Sequence, residues 1–450
     1  MVASMANRAI KRIFLMALIW AASIGLIAKP VLSQNLIRDA EIEYALRKLA
    51  TPILNAAGLN AGQIKILIIN DSSLNAFVVD NRHIFIHSGL VLKLKTPEQL
   101  QAVIAHETAH IANGHISRRI ANIGTAKTAA GLGLLLAAAA AVAGNGQAAA
   151  GIALGTQHSA KRVFLSHTRS EEASADQSGA RYMARAGIDP AAMIAVLDIF
   201  RGQEALSMSR IDPYALTHPL SRARLRAVKG YAAAYKPQDK PDPNTAYWYA
   251  RARGKLGAFI RHSKWGLREA KKTKFTDVAT MMRAVAYYRH PNLKKALREI
   301  NALIKARPKD AYAHELKGQI LLESRQAAAG AKAYAKAVSL APHEPLILAG
   351  YGRALLAQKN YKKALAVLRK AASRDKFNPR LMRDLAMAYA KLGNNGMASL
   401  ATAERYAMMG RLKDAGIHAK RASGLLPRGS AGWNRAADVL RAAKIANKGR

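Results

Sequence analysis

Thr96-Pro97-Glu98-Gln99-Leu100-Gln101-Ala102-Val103-Ile104-Ala105-His106-Glu107-Thr108-Ala109-His110 reads as a helix whose start is written into it. Thr96 supplies an N-cap hydroxyl, Pro97 suits the first helical position, and Gln99 is placed to close a capping box. Further along, His106 and His110 stand four apart, so both imidazoles leave one face of the helix a single turn apart. Two neutral imidazoles at that spacing can share a zinc ion, with Glu107 beside them to take a proton from water. Upstream, three strands are expected at Ile64 to Asn70, Asn75 to Val79 and His83 to His87. Asp71-Ser72-Ser73 and Asp80-Asn81 are the turn signals between them. A short sheet followed by a metal-binding helix predicts an α+β, mostly helical domain.

The 450-residue chain has no cysteine, which excludes a disulfide framework and thiolate metal sites. Any metal must be held by His, Asp or Glu. Zinc in a hydrolytic site usually has three protein ligands and one open position. His115 does not supply the third, because a metzincin spacing would put that histidine at Ile116 and a glycine at Asn113. On one continuous helix, moreover, His115 points away from His106, so it reads as a helix-end or packing residue. The better candidates are the carboxylates Glu171, Glu172 and Asp176 of a later segment, where Glu172 and Asp176 share a helical face.

With these residues the chain resembles the HExxH zinc metallopeptidases of the HtpX and CAAX prenyl protease type. The resemblance covers most of residues 40–230 and implies a zincin-like metallopeptidase domain there. In that family a Glu-x-x-x-Asp motif follows the HExxH helix, which implies Glu172 as the third ligand and Asp176 as the hydrogen-bond partner of a ligating histidine. Asn75-Ala76-Phe77 matches a substrate-binding edge strand of the family, and His218, Pro219 and Arg224 match its His-Pro and downstream Arg. His218 or Arg224 is then expected to stabilise an oxyanion, or His218 to close the fourth metal position and hold the enzyme latent.

Beyond the peptidase-like part, Gly318, Leu321, Gly330, Tyr334 and Ala337 recur 34 residues on as Gly352, Leu355, Ala364, Leu368 and Ala371. A step back by the same period meets Ala284, Tyr287, Ala296, Ile300 and Leu303. That period predicts an α-solenoid of tetratricopeptide-like hairpins. Ala415, Ala419 and Ala422 fall half a repeat out of register, which predicts an extra helix near residues 380–392. One more hairpin is expected between Tyr247 and Lys272. Lys236-Pro237-Gln238-Asp239-Lys240-Pro241-Asp242-Pro243 reads as a linker, so the expected domains are 34–232, a linker at 233–243, and 244–450. The whole arrangement is similar to the periplasmic BepA-like proteases, which implies outer-membrane protein quality control.

At the other end, the basic Arg8, Lys11 and Arg12 precede the uncharged apolar run from Ile13 to Ala28. The pattern is that of a signal peptide, residues 1–33, cut after Ser33 or retained as an anchor. A second apolar stretch, residues 129–154, reads as an Ala/Gly-rich helical hairpin that covers the cleft, dips into a membrane surface or packs on the core. The net charge is +42 and uneven. Residues 1–33 carry 4 basic groups and no acidic one, residues 34–230 carry 21 and 14, and residues 231–450 carry 45 and 14, giving nets of +4, +7 and +31. Export takes nucleic acid out of contention, and the charge of the repeats suits acidic proteins or anionic envelope lipids. The expected activity is that of an exported, periplasmic zinc endopeptidase with one zinc per chain, acting on protein substrates. The alternative is a chaperone or assembly scaffold acting through its repeats.

Overall fold

A computed structural model describes residues 36–118, 168–201, 213–237, 240 and 242–448, all within one compact unit. The expected signal peptide and the apolar stretch 129–154 lie outside these residues. The first half runs β1 (Leu36–Ile37), α1 (Ala40–Ala56), β2 (Lys65–Ile69), β3 (Ala76–Asp80), β4 (His83–His87), α2 (Ser88–Lys93) and α3 (Pro97–Ala112). After residues outside the description come α4 (Arg169–Arg185), α5 (Ala191–Ile199), α6 (Pro213–Thr217) and α7 (Arg222–Ala234).

The three expected strands form, and the two-residue β1 adds a fourth. The sheet order is β1-β2-β4-β3, so β4 inserts parallel to β2, Leu67 lying opposite Phe85. It pairs antiparallel with β3, which puts Phe77 opposite the same Phe85. Ile66, Ile68, Val78, Ile84 and Ile86 face the main core with α1 and α3, while Leu67, Ile69, Phe77, Val79 and Phe85 form a smaller cluster on the other face. β3 is left as an edge.

α3 starts as its sequence predicts. Gln99 N donates to Thr96 Oγ1, and Thr96 N donates back to Gln99 Oε1, both at 3.3 Å. α4 lies against α3 through small residues, and a Cβ on Gly179 would come within 3.4 Å of the backbone of Ala105 and His106. This close approach brings the carboxylates of α4 to the imidazoles of α3.

The second half is helical throughout: α8 (Thr245–Ile260), α9 (Ser263–Ala270), α10 (Thr276–Arg289), α11 (Leu293–Ala306), α12 (Ala311–Glu323), α13 (Ala327–Leu340), α14 (Pro345–Ala357), α15 (Tyr361–Arg374), α16 (Pro379–Lys391), α17 (Asn395–Met408), α18 (Leu412–Leu425) and α19 (Ala431–Lys448). The 34-residue register is a packing register. A Cβ on Gly318 would lie 2.6 Å from the Tyr334 ring, and one on Gly352 would lie 2.5 Å from Leu368. Small residues are therefore required wherever the second helix of a hairpin presses a large side chain into the first. The half-repeat offset has a simple origin. Three-residue loops join α16 to α17 and α17 to α18, so three helices follow one another through the short connection otherwise found inside a hairpin. α16 is the helix expected near 380–392.

α8 docks the repeats on α1. Arg251, buried, pairs with Glu41 and reaches Asp310 at 2.7 Å, and the fully buried Lys255 reaches Asp39 at 2.9 Å and Glu41 at 3.1 Å. On the sheet side, Arg38 and Lys65 meet Asp375 at 2.9 and 3.1 Å. Among the described residues no helix is long and apolar enough to cross a membrane.

One close approach sets the entry to α2. A Cβ on Gly89 would sit 2.1 Å from the carbonyl oxygen of Ser72, and no rotamer relieves a clash with backbone. Gly89→Ala is expected to cost about 1–3 kcal/mol, read as a lowered Tm; an unchanged Tm would contradict the packing described.

Candidate metal centre

Four buried side chains converge: His106 and His110 of α3, Glu172 of α4, and His218, which follows α6. Their candidate ligand atoms lie within 4.8 Å of one another. His106 Nε2 is 3.1 Å from His110 Nε2, 3.3 Å from His218 Nδ1 and 3.5 Å from Glu172 Oε2. Glu172 Oε1 is 3.4 Å from His110 Nε2 and 2.9 Å from His218 Nδ1. Zinc–ligand bonds of about 2 Å in a tetrahedron imply donor–donor edges of about 3.3 Å. Donor chemistry and spacing both fit such an ion.

The outer contacts fix which nitrogen each imidazole offers. His106 Nδ1 faces Asp176 Oδ1 at 3.0 Å, so its proton sits there and Nε2 is left for a metal. His110 Nδ1 lies 2.8 Å from His115 Nδ1, and His115 Nε2 lies 3.1 Å from Ser174 Oγ. A proton chain from His110 through His115 to Ser174 turns His110 Nε2 toward the cluster of donors as well. The expectation of one continuous helix through His115 does not hold. α3 ends at Ala112, and Gly114 turns the chain at a φ of 70°, the left-handed conformation that glycine adopts readily. His115 folds back behind His110, remaining outside the ligand cluster and serving to orient a member of it.

Asp176 and Glu172 are held by Arg224. Its Nε and Nη2 donate to Asp176 at 2.6 and 2.9 Å, and Nη1 pairs with Glu172 Oε2 at 2.6 Å. Nη1 also donates to the carbonyl oxygens of His218 and Pro219, at 3.3 and 3.4 Å. With all three nitrogens engaged, Arg224 is not placed as the oxyanion donor considered from the sequence; it ties the carboxylates to the His218 segment.

The electrostatics follow from burial and these pairings. Burial opposes charge on His106, but the charge of Glu172 and the hydrogen bonds to Asp176 and Glu172 outweigh it and raise the imidazole to about 10. Burial drives His110 well below its ordinary value. Burial also opposes ionisation of Glu172, yet His218, Arg224 and His106 hold it well below the usual carboxylate range. Glu107 is pushed up, chiefly by burial, against the pull of His218 and His106. Although fully buried, neither of its oxygens has a hydrogen-bond partner among the described residues. His218 Nε2 lies 3.5 Å from its Oε1.

The edge strand meets the cluster through His218, whose Nε2 lies 3.3 Å from the carbonyl oxygen of Ala76. Asn75 is buried, its Oδ1 accepting from Thr217 Oγ1 at 3.5 Å, and Phe77 turns into the cluster beneath the sheet. Tyr214 was not anticipated from the sequence. Its ring lies 4.5 Å from that of His218 and 4.7 Å from that of Phe200, and its backbone N donates to Leu74 O at 3.1 Å. Its place four residues before His218, on one short helix, was the available signal.

Comparison with known proteins agrees with this geometry. Residues 37–232 match the model of Peptidase family M48, and residues 281–345 and 316–379 match that of a tetratricopeptide repeat. Over 391 residues the chain is 25% identical to the β-barrel assembly-enhancing protease of Escherichia coli (strain K12), covering 85% of this chain and 79% of that one. It is 31% identical over 226 residues to a putative β-barrel assembly-enhancing protease of Vibrio cholerae, covering 49% of this chain and 45% of the relative. Metalloprotease LoiP of E. coli K12 is 28% identical over 205 residues, 45% of this chain and 76% of the relative. Residues 37–232 therefore form a family M48 metallopeptidase domain, set before tetratricopeptide repeats in a chain homologous to the β-barrel assembly-enhancing proteases.

Proposed function

We propose that the chain is a zinc-dependent endopeptidase of the cell envelope, exported to the periplasm by residues 1–33, which cleaves misfolded or stalled outer-membrane proteins. Its repeats would bring it to the assembly machinery for those proteins and to anionic membrane. The observation that carries the reading is Glu107, a buried carboxylate with two unsatisfied oxygens beside a cluster of four metal donors. A buried acceptor of that kind costs free energy unless a partner arrives, and a reacting water is such a partner.

A zinc ion held by His106, His110 and Glu172 would supply Lewis acidity, polarising a peptide carbonyl and making water a better nucleophile. Glu107 takes the proton of that water and returns it to the leaving amine, a task suited to a carboxylate raised by burial. Asp176 and His115 keep the two imidazoles in register, and Arg224 keeps Asp176 and Glu172 in place. The free edge of β3 accepts an extended substrate by strand addition, with Asn75, Ala76 and Phe77 along the contact. In the arrangement described, His218 occupies the fourth donor position and also covers the Ala76 carbonyl. This favours His218 as a latch over His218 as an oxyanion donor. The same geometry supports the second reading, a scaffold or chaperone whose peptidase is latent.

Three measurements test these assignments. Glu107→Gln is expected to bind stoichiometric zinc and lose casein cleavage by about a hundredfold or more; a zinc-free protein, or a variant as active as the wild type, would sink the peptidase reading. Zinc must displace the proton that His106 carries below pH about 10. Calorimetry at neutral pH should therefore show about one proton released per zinc, with affinity rising as pH rises; binding without proton release would contradict the charge assigned to His106. His218→Ala should raise basal cleavage. Unchanged zinc binding with lost turnover would return His218 to the role of oxyanion donor.

A further inference from the structure

The charge of the repeats is not spread evenly over the solenoid. The first helices of successive hairpins, α12, α14 and α16, pack in series, and the second helices α11, α13 and α15 lie outside them. The first helices α12, α14 and α16 carry five Lys and Arg against three acidic residues, and Arg353 and Arg383 share Asp384 at 2.8 and 2.9 Å. The three second helices carry eleven Lys and Arg and a single acidic residue, Glu299. All eleven are exposed. Glu299 is already engaged from the first helix α10, by Arg283 at 2.8 Å.

These cations keep the repeat register. Lys294 recurs as Lys362 and Lys295 as Lys363 two repeats later, and Arg298 recurs as Lys332 one repeat later. Helices stacked at a fixed period bring such positions to one side, so the outer face is a continuous basic band. Eight of the eleven are lysines, strongly hydrated point charges on flexible stems, without the planar fork that recognises one carboxylate at a fixed site. That composition suits a broad array of negative charge. An independent feature of the same chain selects the array, and it rests on the envelope location proposed above: the basic start and the uncharged apolar run from Ile13 to Ala28 read as a signal that takes the polypeptide into a compartment walled by lipid bilayers, whether it is cut or kept.

We propose that the outer face formed by α11, α13 and α15 docks on an anionic lipid surface, leaving the first helices free for protein. Juxtamembrane basic clusters act in this way, each residue adding to the attraction until salt screens it.

The test is co-sedimentation of the full chain with vesicles of one part phosphatidylglycerol to two parts phosphatidylcholine, against vesicles of phosphatidylcholine alone. The apolar run contributes to both, so the ratio reports the charge. Wild type should prefer the anionic vesicles by at least about tenfold near 0.1 M salt and lose the preference near 0.5 M. The quadruple variant Lys294→Gln, Lys295→Gln, Lys362→Gln and Lys363→Gln should lose most of it while keeping wild-type helicity and casein cleavage. Equal binding to the two vesicles by wild type, or an undiminished preference in the variant, would overturn the proposal. So would lysine-dependent binding to soluble polyglutamate without any preference for phosphatidylglycerol, which would point to an acidic protein instead.

Discussion

The metal centre depends on one arginine. Glu172 and Asp176 are both buried, and two carboxylates taken out of water on adjacent turns of a helix would repel each other strongly. Arg224 meets both, with bidentate geometry on Asp176. Two carboxylates and one guanidinium leave a negative residue of charge, and His106 balances it by holding a proton up to about 10. Were His106, His110 and Glu172 to hold a dication in place of this proton, the balance would shift toward positive. That excess favours the ionised form of Glu107, which burial otherwise disfavours. Ion binding and the ionisation of Glu107 would thus be linked through the charge balance of one buried cluster.

The same arginine joins the cluster of metal donors to the edge of β3. Its Nη1 holds the carbonyls of His218 and Pro219, and His218 in turn spans from Glu172 to the Ala76 carbonyl. Tyr214 backs the His218 ring and ties its own backbone to the loop before β3. A substrate strand that pairs with β3 must contend with His218 at that carbonyl, so access to the edge and access to the fourth donor position are coupled by geometry.

What could be read in advance follows the range of the interactions. The capping box at Thr96 and the i, i+4 pairs His106 with His110 and Glu172 with Asp176 are local, and local periodicity shows them. The resemblance, in turn, brought His218 and Arg224 to the same site. The engagement of every Arg224 nitrogen was not legible, because it depends on α4 lying against α3 and on the turn at Pro219. His115 was misplaced because one unbroken helix was assumed past Asn113-Gly114, although a glycine at that point is a stop signal in its own right. The two-residue β1 is too short to carry any periodicity, and the parallel pairing of β2 with β4 is a long-range choice that alternation of residue types does not encode.

The contrast between the two halves in charge also has a structural origin. Where the repeats meet the peptidase domain, cations are engaged in buried pairs, Arg251 and Lys255 against Asp39, Glu41 and Asp310, and Arg38 against Asp375. Removing one partner of such a pair strands the other without water, at a cost of about 3–5 kcal/mol, so these contacts are more specific than a hydrophobic seam of the same size. They hold α1 and the sheet against the repeats as one body. Most of the excess positive charge is then left to the outer helices, where a few cations also meet the fold, Lys295 and Lys363 over the rings of Tyr287 and Tyr351 and Arg298 against Glu299. A chain that needed charge only for solubility would have little reason to keep it in repeat register on one face. The periodic placement therefore argues for an external surface, while the paired cations argue for an internal joint, and the solenoid serves both ends with the same residue types.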